Sequence, residues 1–380
     1  MSFKVMIAYP PIPSDKGVPL ISQNRQFQWF NRPTFIYPVV PAYAATLLQD
    51  RGYQAVWADG VAAQMTVDQF KELVDREQPD MIAIEAKTPV IRPYWKWVNE
   101  LKRMLPNAKL VLMGDHVTAF PDEGFDNSQV DYCLAGGDFD WALLNLANHL
   151  TKGEALEGGV HWRDAQTGQV ANSGAFKLEH DLNLNPFIDR DLTQWERYAF
   201  ENGNFKYTPG TYQMAGRDCW WGKCTFCSWT TTFNNFRSVT PERHLAEVEQ
   251  LVKRYGVREI FDDTGTFPAG LWLKKFTEGL VETGLSKKVT YGCNMKRRAE
   301  AGAMGPHGQG QLPLRALRRG VGQPEHDRQA IEGREGGGHP QYHAHVQEGR
   351  HGAPRDLHGR LSLGRLPGGQ EHHRPMQGAF

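Results

Sequence analysis

The sequence predicts an α/β protein in two parts: a flavodoxin-like (Rossmann-like) parallel sheet, then a partial β/α barrel. Three observations predict it. Short apolar runs alternate with helix-length segments over residues 1–150, the alternation resumes in 205–296, and the stretch between them, 151–204, has the composition of a hairpin and linker. Strands and helices alternating at this spacing form a parallel sheet covered on both faces through right-handed crossovers.

In the first part, residues 3–9, 54–57, 81–84, 110–113 and 132–134 read as five buried strands, because each is a short apolar run bounded by turn residues. Helix-length segments separate them at 42–50, 67–76, 94–105 and 139–150, with a short one near Pro121. In such a sheet, ligands sit beyond the carboxyl ends of the strands. The residues there are Asp59 and Gly60, then Lys87, Thr88 and Pro89, then the run from Gly114 through Asp115, His116 and Val117 to Thr118, and finally Gly136, Gly137 and Asp138. A module of this fold that binds no cofactor is the plainer alternative, because one fold hosts many functions. For His116 the plainer alternative is a loop histidine bonded to backbone or solvent.

Residues 157–175 hold two strand-like runs around a turn and read as a β-hairpin connector. The run NPFIDRDL, 185–192, has the Pro and Asp turn chemistry of an ordinary linking loop.

The second part opens with a strand at 211–216, and the loop GRDCWWGKCTFCSW follows from Gly216 to Trp229. Cys219, Cys224 and Cys227 are separated by four and then two residues, close enough for three thiolates to converge on one metal centre. Structural zinc is the alternative, but it wants four ligands, and no fourth Cys or His lies nearby in sequence. A disulfide is the weaker reading, since a chain of five cysteines with no apolar export segment at its start is expected in the cytoplasm, where thiols stay reduced. Thr240 and Pro241 start a helix as N-cap and first residue, with Leu245, Val248, Leu251 and Val252 on its apolar face. A strand at 258–261 ends in Asp262, Asp263 and Thr264, a helix spans 272–283, and a third strand spans 288–293, where Cys293 reads as buried rather than ligating. Reactive groups in β/α barrels collect on loops at the strands' carboxyl ends, which is where the cysteines fall.

Composition excludes little but does so usefully. Lys plus Arg and Asp plus Glu both number 43, so net charge gives no reason to expect nucleic acid or an anionic membrane as partner. No apolar run approaches the roughly 18 residues that span a bilayer.

The cysteine loop resembles that of the radical S-adenosylmethionine (SAM) superfamily, in which three cysteines leave one iron of a four-iron four-sulfur (4Fe-4S) cluster open to a chelating molecule. The usual signature has three residues between the first two cysteines, whereas Trp220, Trp221, Gly222 and Lys223 make four here. Residues 3–150, with Pro10 and Pro11 after the first strand and glycine-flanked loops, resemble the cobalamin-binding domain of the cobalamin-dependent branch. The motif whose histidine ligates cobalt from below is missing after Asp59, as is common in that branch.

The resemblance implies a cluster on the three cysteines and SAM beside Phe226, Asp262, Asp263 and Thr264. It implies cobalamin beside Asp59, Thr88, Gly114, Asp115, His116, Thr118, Gly136 and Gly137. The acidic pair has a simpler alternative, capping the next helix. The implied reaction is methyl transfer to an unactivated carbon of a small-molecule or natural-product substrate, with electrons from a flavodoxin- or ferredoxin-type donor. Another radical rearrangement or cyclisation, a non-catalytic iron–sulfur protein and an inactive truncated product are the alternatives.

From residue 297 to 380, Gly, Arg, His, Gln and Pro take over, nine of the fourteen histidines collect, and the β/α alternation stops. This reads either as a disordered tail or as a shifted reading frame. Codons for residues 312–323, read one base later, can encode FRFVLFGVESAN, which resembles a strand and Glu-Ser turn of the family's barrel.

Overall fold

In the computed structural model, which describes residues 3–19, 29–31, 34–224, 227, 232, 235–295 and 342–343, the first sheet has seven strands. The five expected ones are β1 (Lys4–Tyr9), β2 (Gln54–Asp59), β3 (Met81–Glu85), β4 (Lys109–Met113) and β5 (Tyr132–Leu134). They run parallel in the order β2-β1-β3-β4-β5, with Val5 between Ala55 and Met81 in register. Connectivity reverses between β1 and β3, and a crevice opens above the carboxyl ends at such a switch point. Every residue of β3 is buried, as a central strand covered on both faces requires.

The helices are α1 (Val39–Asp50), α2 (Val67–Glu77), α3 (Ile91–Met104), α4 (Asp115–Ala119), α5 (Pro121–Asn127) and α6 (Phe139–Lys152). Thr66 and Gln69 close a reciprocal capping box at the start of α2. The short helix expected near Pro121 is two helices, because the residue before a proline is driven out of helical geometry and Phe120, at φ −139° and ψ 64°, breaks the helix.

The hairpin of β6 (Val160–Arg163) and β7 (Val170–Asn172) is more than a connector. β6 pairs antiparallel with β5, setting Val160 beside Leu134, and so covers the open edge of a three-residue strand.

The second sheet holds β8 (Gly210–Gln213), β11 (Glu259–Asp262) and β12 (Thr290–Met295) in parallel, covered by α7 (Pro241–Tyr255) and α8 (Leu271–Glu282). Thr240 caps α7 by accepting from the Arg243 N–H at 3.3 Å, and Gly256 ends it in the left-handed conformation. The expected strand 211–216 stops at Gln213. Its continuation forms β9 (Gly216–Arg217), which leaves the sheet to pair antiparallel with β10 (Arg237–Ser238). The backbone of Tyr342–His343 pairs antiparallel with the end of β12. The rest of 296–380, on which the readings of a disordered tail and a shifted frame fall, lies outside the described residues, as does Phe226.

The stretch 185–192 does more than an ordinary linking loop. Arg190, only 1% exposed, donates to Thr211 Oγ1 at 2.8 Å and to the Tyr212 carbonyl at 2.9 Å, and its guanidinium lies 4.3 Å from the centre of the Tyr37 ring. Tyr43 of α1 donates to Glu247 of α7 at 3.0 Å. These contacts fix the first sheet's helix layer against the second sheet. Among the described residues no helix is long and apolar enough to cross a membrane.

Candidate functional site

The cysteine loop starts where two side chains peel the chain away from β8. Asp262 Oδ2 accepts from the Ala215 N–H at 2.8 Å, and Thr264 Oγ1 accepts from the Gly216 N–H at 3.0 Å, replacing ladder bonds. Asp218 then turns the chain with φ 75°, a left-handed geometry that Asp tolerates better than most residues, and its Oδ1 accepts from the Cys219 N–H at 2.6 Å. Burial pushes the Asp218 carboxyl up to about 6.

Cys219 forms a parallel bridge with Thr266, its Sγ 2.8 Å from Thr266 Oγ1, and Trp220 Nε1 donates to the Phe267 carbonyl at 3.2 Å. The Phe267 N–H donates in turn to the Asn294 carbonyl of β12 at 2.7 Å. The loop is therefore seated over the carboxyl ends of β11 and β12. Gly265 makes this approach possible: a Cβ there would stand 2.5 Å from the Asp218 carbonyl oxygen and 2.8 Å from Cys219 Cβ.

Cys224 and Cys227 share a turn in which the Cys227 N–H donates to the Cys224 carbonyl at 3.2 Å. All five cysteines are free; the three loop thiols are partly exposed, whereas Cys133 and Cys293 are buried, and desolvation pushes their thiols up. Among the described residues, no three Cys, His, Asp or Glu side chains are gathered into a metal-holding group. Three free thiols therefore share one partly exposed loop, and the other two are buried apart from it.

Behind the loop lies a buried ion network that sequence reasoning missed. Arg217 reaches Asp138 Oδ1 at 2.8 Å, Asp140 Oδ1 at 2.8 Å and Asp140 Oδ2 at 2.5 Å. Arg237, its neighbour across the β9–β10 ribbon, donates twice to Asp138 at 2.7 Å. His180 Nδ1 lies 3.1 Å from Asp138 and its Nε2 3.1 Å from Glu157, with the ring stacked 4.9 Å from that of Trp141. Burial alone would raise the Asp138 carboxyl, but Arg217, His180 and Arg237 hold it well below the usual carboxylate range. Burial alone would lower His180, but Asp138 and Glu157 carry it up to about 9. The two aspartates open α6, whose N-terminus favours negative charge. The network thus ties the loop after β5 to the residue two before Cys219.

The strand-end residues named from the sequence fall into three groups. Thr118 joins two of the loops: its hydroxyl donates to the Gly114 carbonyl at 2.8 Å and accepts from the Gly136 N–H at 3.1 Å. Gly114 and Gly136 both have positive φ and lie against protein rather than open space, a Cβ meeting the Ala86 carbonyl oxygen at 2.3 Å and the Phe176 ring at 2.8 Å. Gly137 follows them, buried, on the approach to Asp138. Asp115 pairs with Lys87 at 3.6 Å, while Thr88 and His116 meet at 3.1 Å and turn toward the space between α3 and α5.

Asp59 stands apart at the end of β2, accepting from Tyr198 Oη at 2.5 Å and from the Ala62 N–H at 2.8 Å. Burial pushes its carboxyl up to about 6. The cavity beside it, also lined by Tyr9, is about 20 Å³, room for one water.

Of the three residues named at the end of β11, two have scaffold jobs. Asp262 is fully buried; Tyr291 of β12 donates to it at 2.9 Å, and His244 Nε2 of α7 lies 3.3 Å away. Thr264 is held by Gly216. Asp263, the next residue after the strand, is buried as well, its N–H donating to the Gln213 carbonyl at 2.8 Å.

No protein-family profile matches the chain. Among curated proteins it is 25% identical over 232 residues to an uncharacterized methyltransferase of Pyrococcus horikoshii, covering 60% of this chain and 49% of that one. It is 25% identical over 268 residues to the anaerobic magnesium-protoporphyrin IX monomethyl ester cyclase of Rubrivivax gelatinosus, covering 68% and 46%. The chain therefore spans about half the length of the curated relatives it matches. Among solved structures, it superposes on the cobalamin-dependent SAM radical enzyme OxsB with aqua-cobalamin bound, at TM-score 0.59 and 14% identity over 76% of this chain and 38% of that one. It also superposes on the radical SAM methyltransferase TsrM of Kitasatospora setae, with cobalamin and a 4Fe-4S cluster bound, at TM-score 0.51 and 15% identity over 74% and 51%. The fold is that of cobalamin-dependent radical SAM enzymes.

Proposed function

We propose that this chain is a cobalamin-dependent radical SAM enzyme that transfers a methyl group to an unactivated carbon of a small molecule. The observation that carries the reading is the clamp from Arg217 to Asp138 and Asp140, which sets the cysteine loop against the rim where cobalamin would lie. Cys219, Cys224 and Cys227 would hold the cluster, and the rim formed by Thr88, Gly114, Asp115, Thr118, Gly136 and Gly137 would hold the corrin. When bound, these groups supply an electron for reductive cleavage of SAM and a carrier for its methyl group.

The chain's own part is positional. Arg217 and Arg237 fix the loop's entry, Asp218 aims Cys219 outward, and Gly265 lets the strand-end segment lie close beneath it. Asp263 and Phe226 remain the residues proposed to meet SAM, and Asp262 acts through the loop backbone it holds. Three thiols that must stay reduced suit the cytoplasm and a flavodoxin- or ferredoxin-type electron donor.

The test is anaerobic reconstitution with iron and sulfide, followed by incubation with SAM carrying a labelled methyl group, hydroxocobalamin and reductant. Label reaching the corrin, together with methionine and deoxyadenosine release, supports the reading. A cluster that forms without SAM cleavage or corrin retention sinks it. A second reading, radical cyclisation, draws on the similarity to the ester cyclase; it predicts deoxyadenosine without label on the corrin.

A further inference from the structure

A groove of about 990 Å³ lies between α3 and α5, remote in sequence from the cysteine loop. Its volume is within the range of small-molecule sites, roughly 300–1,000 Å³. On one wall, Arg92 and Lys96 stand one helical turn apart on the exposed face of α3. Like charges at this spacing repel, and cations near a helix N-terminus oppose the helix dipole. The first turn of α3 has no acidic residue, and neither cationic side chain has an ion-pair or hydrogen-bond partner among the described residues. Three electrostatic preferences are thus violated in one place, and an anion in the groove would relieve all three.

The rest of the groove is aromatic. His116 is 4% exposed, with its ring centre 5.6 Å from that of Phe120 and 6.1 Å from that of Trp95. Phe120 is 53% exposed, unusual for so large an apolar side chain. One buried ring nitrogen, Trp95 Nε1, has no hydrogen-bond partner among the described residues. The Glu123 carboxylate lies 3.3 Å from His116 Nε2, which places negative charge at that end and leaves the Arg92 and Lys96 end for an incoming anion.

We propose that this groove binds a small aromatic phosphate, its phosphate on Arg92 and Lys96 and its ring against Trp95, His116 and Phe120. Stacking surface, the buried Trp95 N–H and unpaired cations together match that ligand class, of which mononucleotides are members. The groove shares Thr88 with the rim proposed above for the corrin, and the hydroxocobalamin arm of the experiment separates the two sites.

The experiment uses the full-length chain and 1-naphthyl phosphate, followed by calorimetry. The expected result is saturable binding tighter than that of either 1-naphthol or inorganic phosphate, and a loss of about tenfold or more in Arg92→Ala/Lys96→Ala. Trp95→Phe, which keeps a ring but removes the N–H, should weaken binding without abolishing it. Arg92 and Lys96 are exposed on the helix while Trp95 is partly buried, and an unchanged thermal melt confirms that both variants fold. Wild-type affinity in the double variant would overturn the proposal. So would tighter binding of a hexaglutamate peptide, which would make the groove a protein-docking surface. Loss of probe binding on saturation with hydroxocobalamin would likewise overturn it, by assigning the groove to the corrin.

Discussion

Arg217 and Asp138 lie 79 residues apart in sequence and 2.8 Å apart in space, the guanidinium 3% exposed and forked onto Asp140 as well. Asp138 follows the glycine pair after β5, and Arg217 lies two residues before Cys219. One buried ion network therefore couples the two halves of the proposed reaction centre. Removing either member leaves charge stranded in a site that solvent does not reach.

Arg217→Ala should destabilise the fold by about 3–5 kcal/mol, because Asp138 and Asp140 would remain buried with their principal counter-charge gone. Arg217→Lys restores the charge but not the planar fork that bridges two carboxylates, so it should recover only part of the loss. Urea unfolding of the three proteins measures both effects. Full recovery by lysine would show that charge alone, without bidentate geometry, holds the clamp.

His180 predicts a pH dependence of known sign. Its pKa is about 9 in the fold against an ordinary value near 6.5, so its contribution is complete below about pH 6.5 and is lost as pH rises through 9. The stability difference between wild type and His180→Gln should shrink across that window by at most about 3 kcal/mol, less to the extent that solvent screens the partly exposed ring. Asp138 contributes in the opposite direction, its stabilisation disappearing only in acid. A difference that stays flat from pH 6.5 to 9 would show that His180 does not bind its proton through Asp138 and Glu157.

Asp59 shares the sign of His180 and reverses that of Asp138, because its folded pKa is raised, to about 6. The fold holds a proton there that the unfolded chain releases, so stability should fall as pH rises from about 4 to 6. Asp59→Asn, which keeps a partner for Tyr198 but cannot ionise, should gain on wild type by at most about 3 kcal/mol over that interval. Thermal melts at closely spaced pH values decide it, and parallel curves would mean that Asp59 titrates near its ordinary value.

What the sequence made legible was local. Five apolar runs became β1 to β5, and the Thr240 cap and the strand-end position of the cysteines were present in short windows. The clamp was not legible, because Arg217, Arg237, His180 and Asp138 come from separate segments and meet only after both sheets have formed. The scaffold contacts of Asp262 follow from strand phase, which a short window over residues 262–264 does not separate. Asp262 lies two residues beyond Ile260 and so shares the face packed on α7, whereas its neighbours in sequence follow other directions. The β5 edge likewise recruited the hairpin because of its exposure, a property of the assembled sheet rather than of residues 157–175.

Cys224→Ala should prevent formation of a SAM-responsive four-iron cluster, because two thiolates from one loop leave the cluster short of a ligand. Cys133→Ala and Cys293→Ala should reconstitute normally, since both thiols are buried apart from the loop. Iron and sulfide content, with the electron paramagnetic resonance spectrum before and after SAM, distinguishes the outcomes. A full cluster in the Cys224 variant would remove that residue from the ligand set.

Gly265 offers a test of the loop's seating that leaves every thiol in place. The segment after β11 passes so close beneath the cysteine loop that a methyl group at 265 would overlap the Asp218 carbonyl oxygen and press on Cys219 Cβ. Backbone cannot yield there cheaply, because Ala215 and Gly216 are held by Asp262 and Thr264, and Asp218 already occupies a left-handed conformation. Relief must come from displacement of Cys219, which Thr266 holds by one isolated bridge and one side-chain contact. Gly265→Ala should therefore lose about 1–3 kcal/mol of stability, as overpacking does, while the first sheet stays intact. Its iron content should fall more sharply than its stability. A Gly265→Ala protein that reconstitutes as fully as wild type would mean that the loop reaches its cluster-holding conformation without the seat on Thr266.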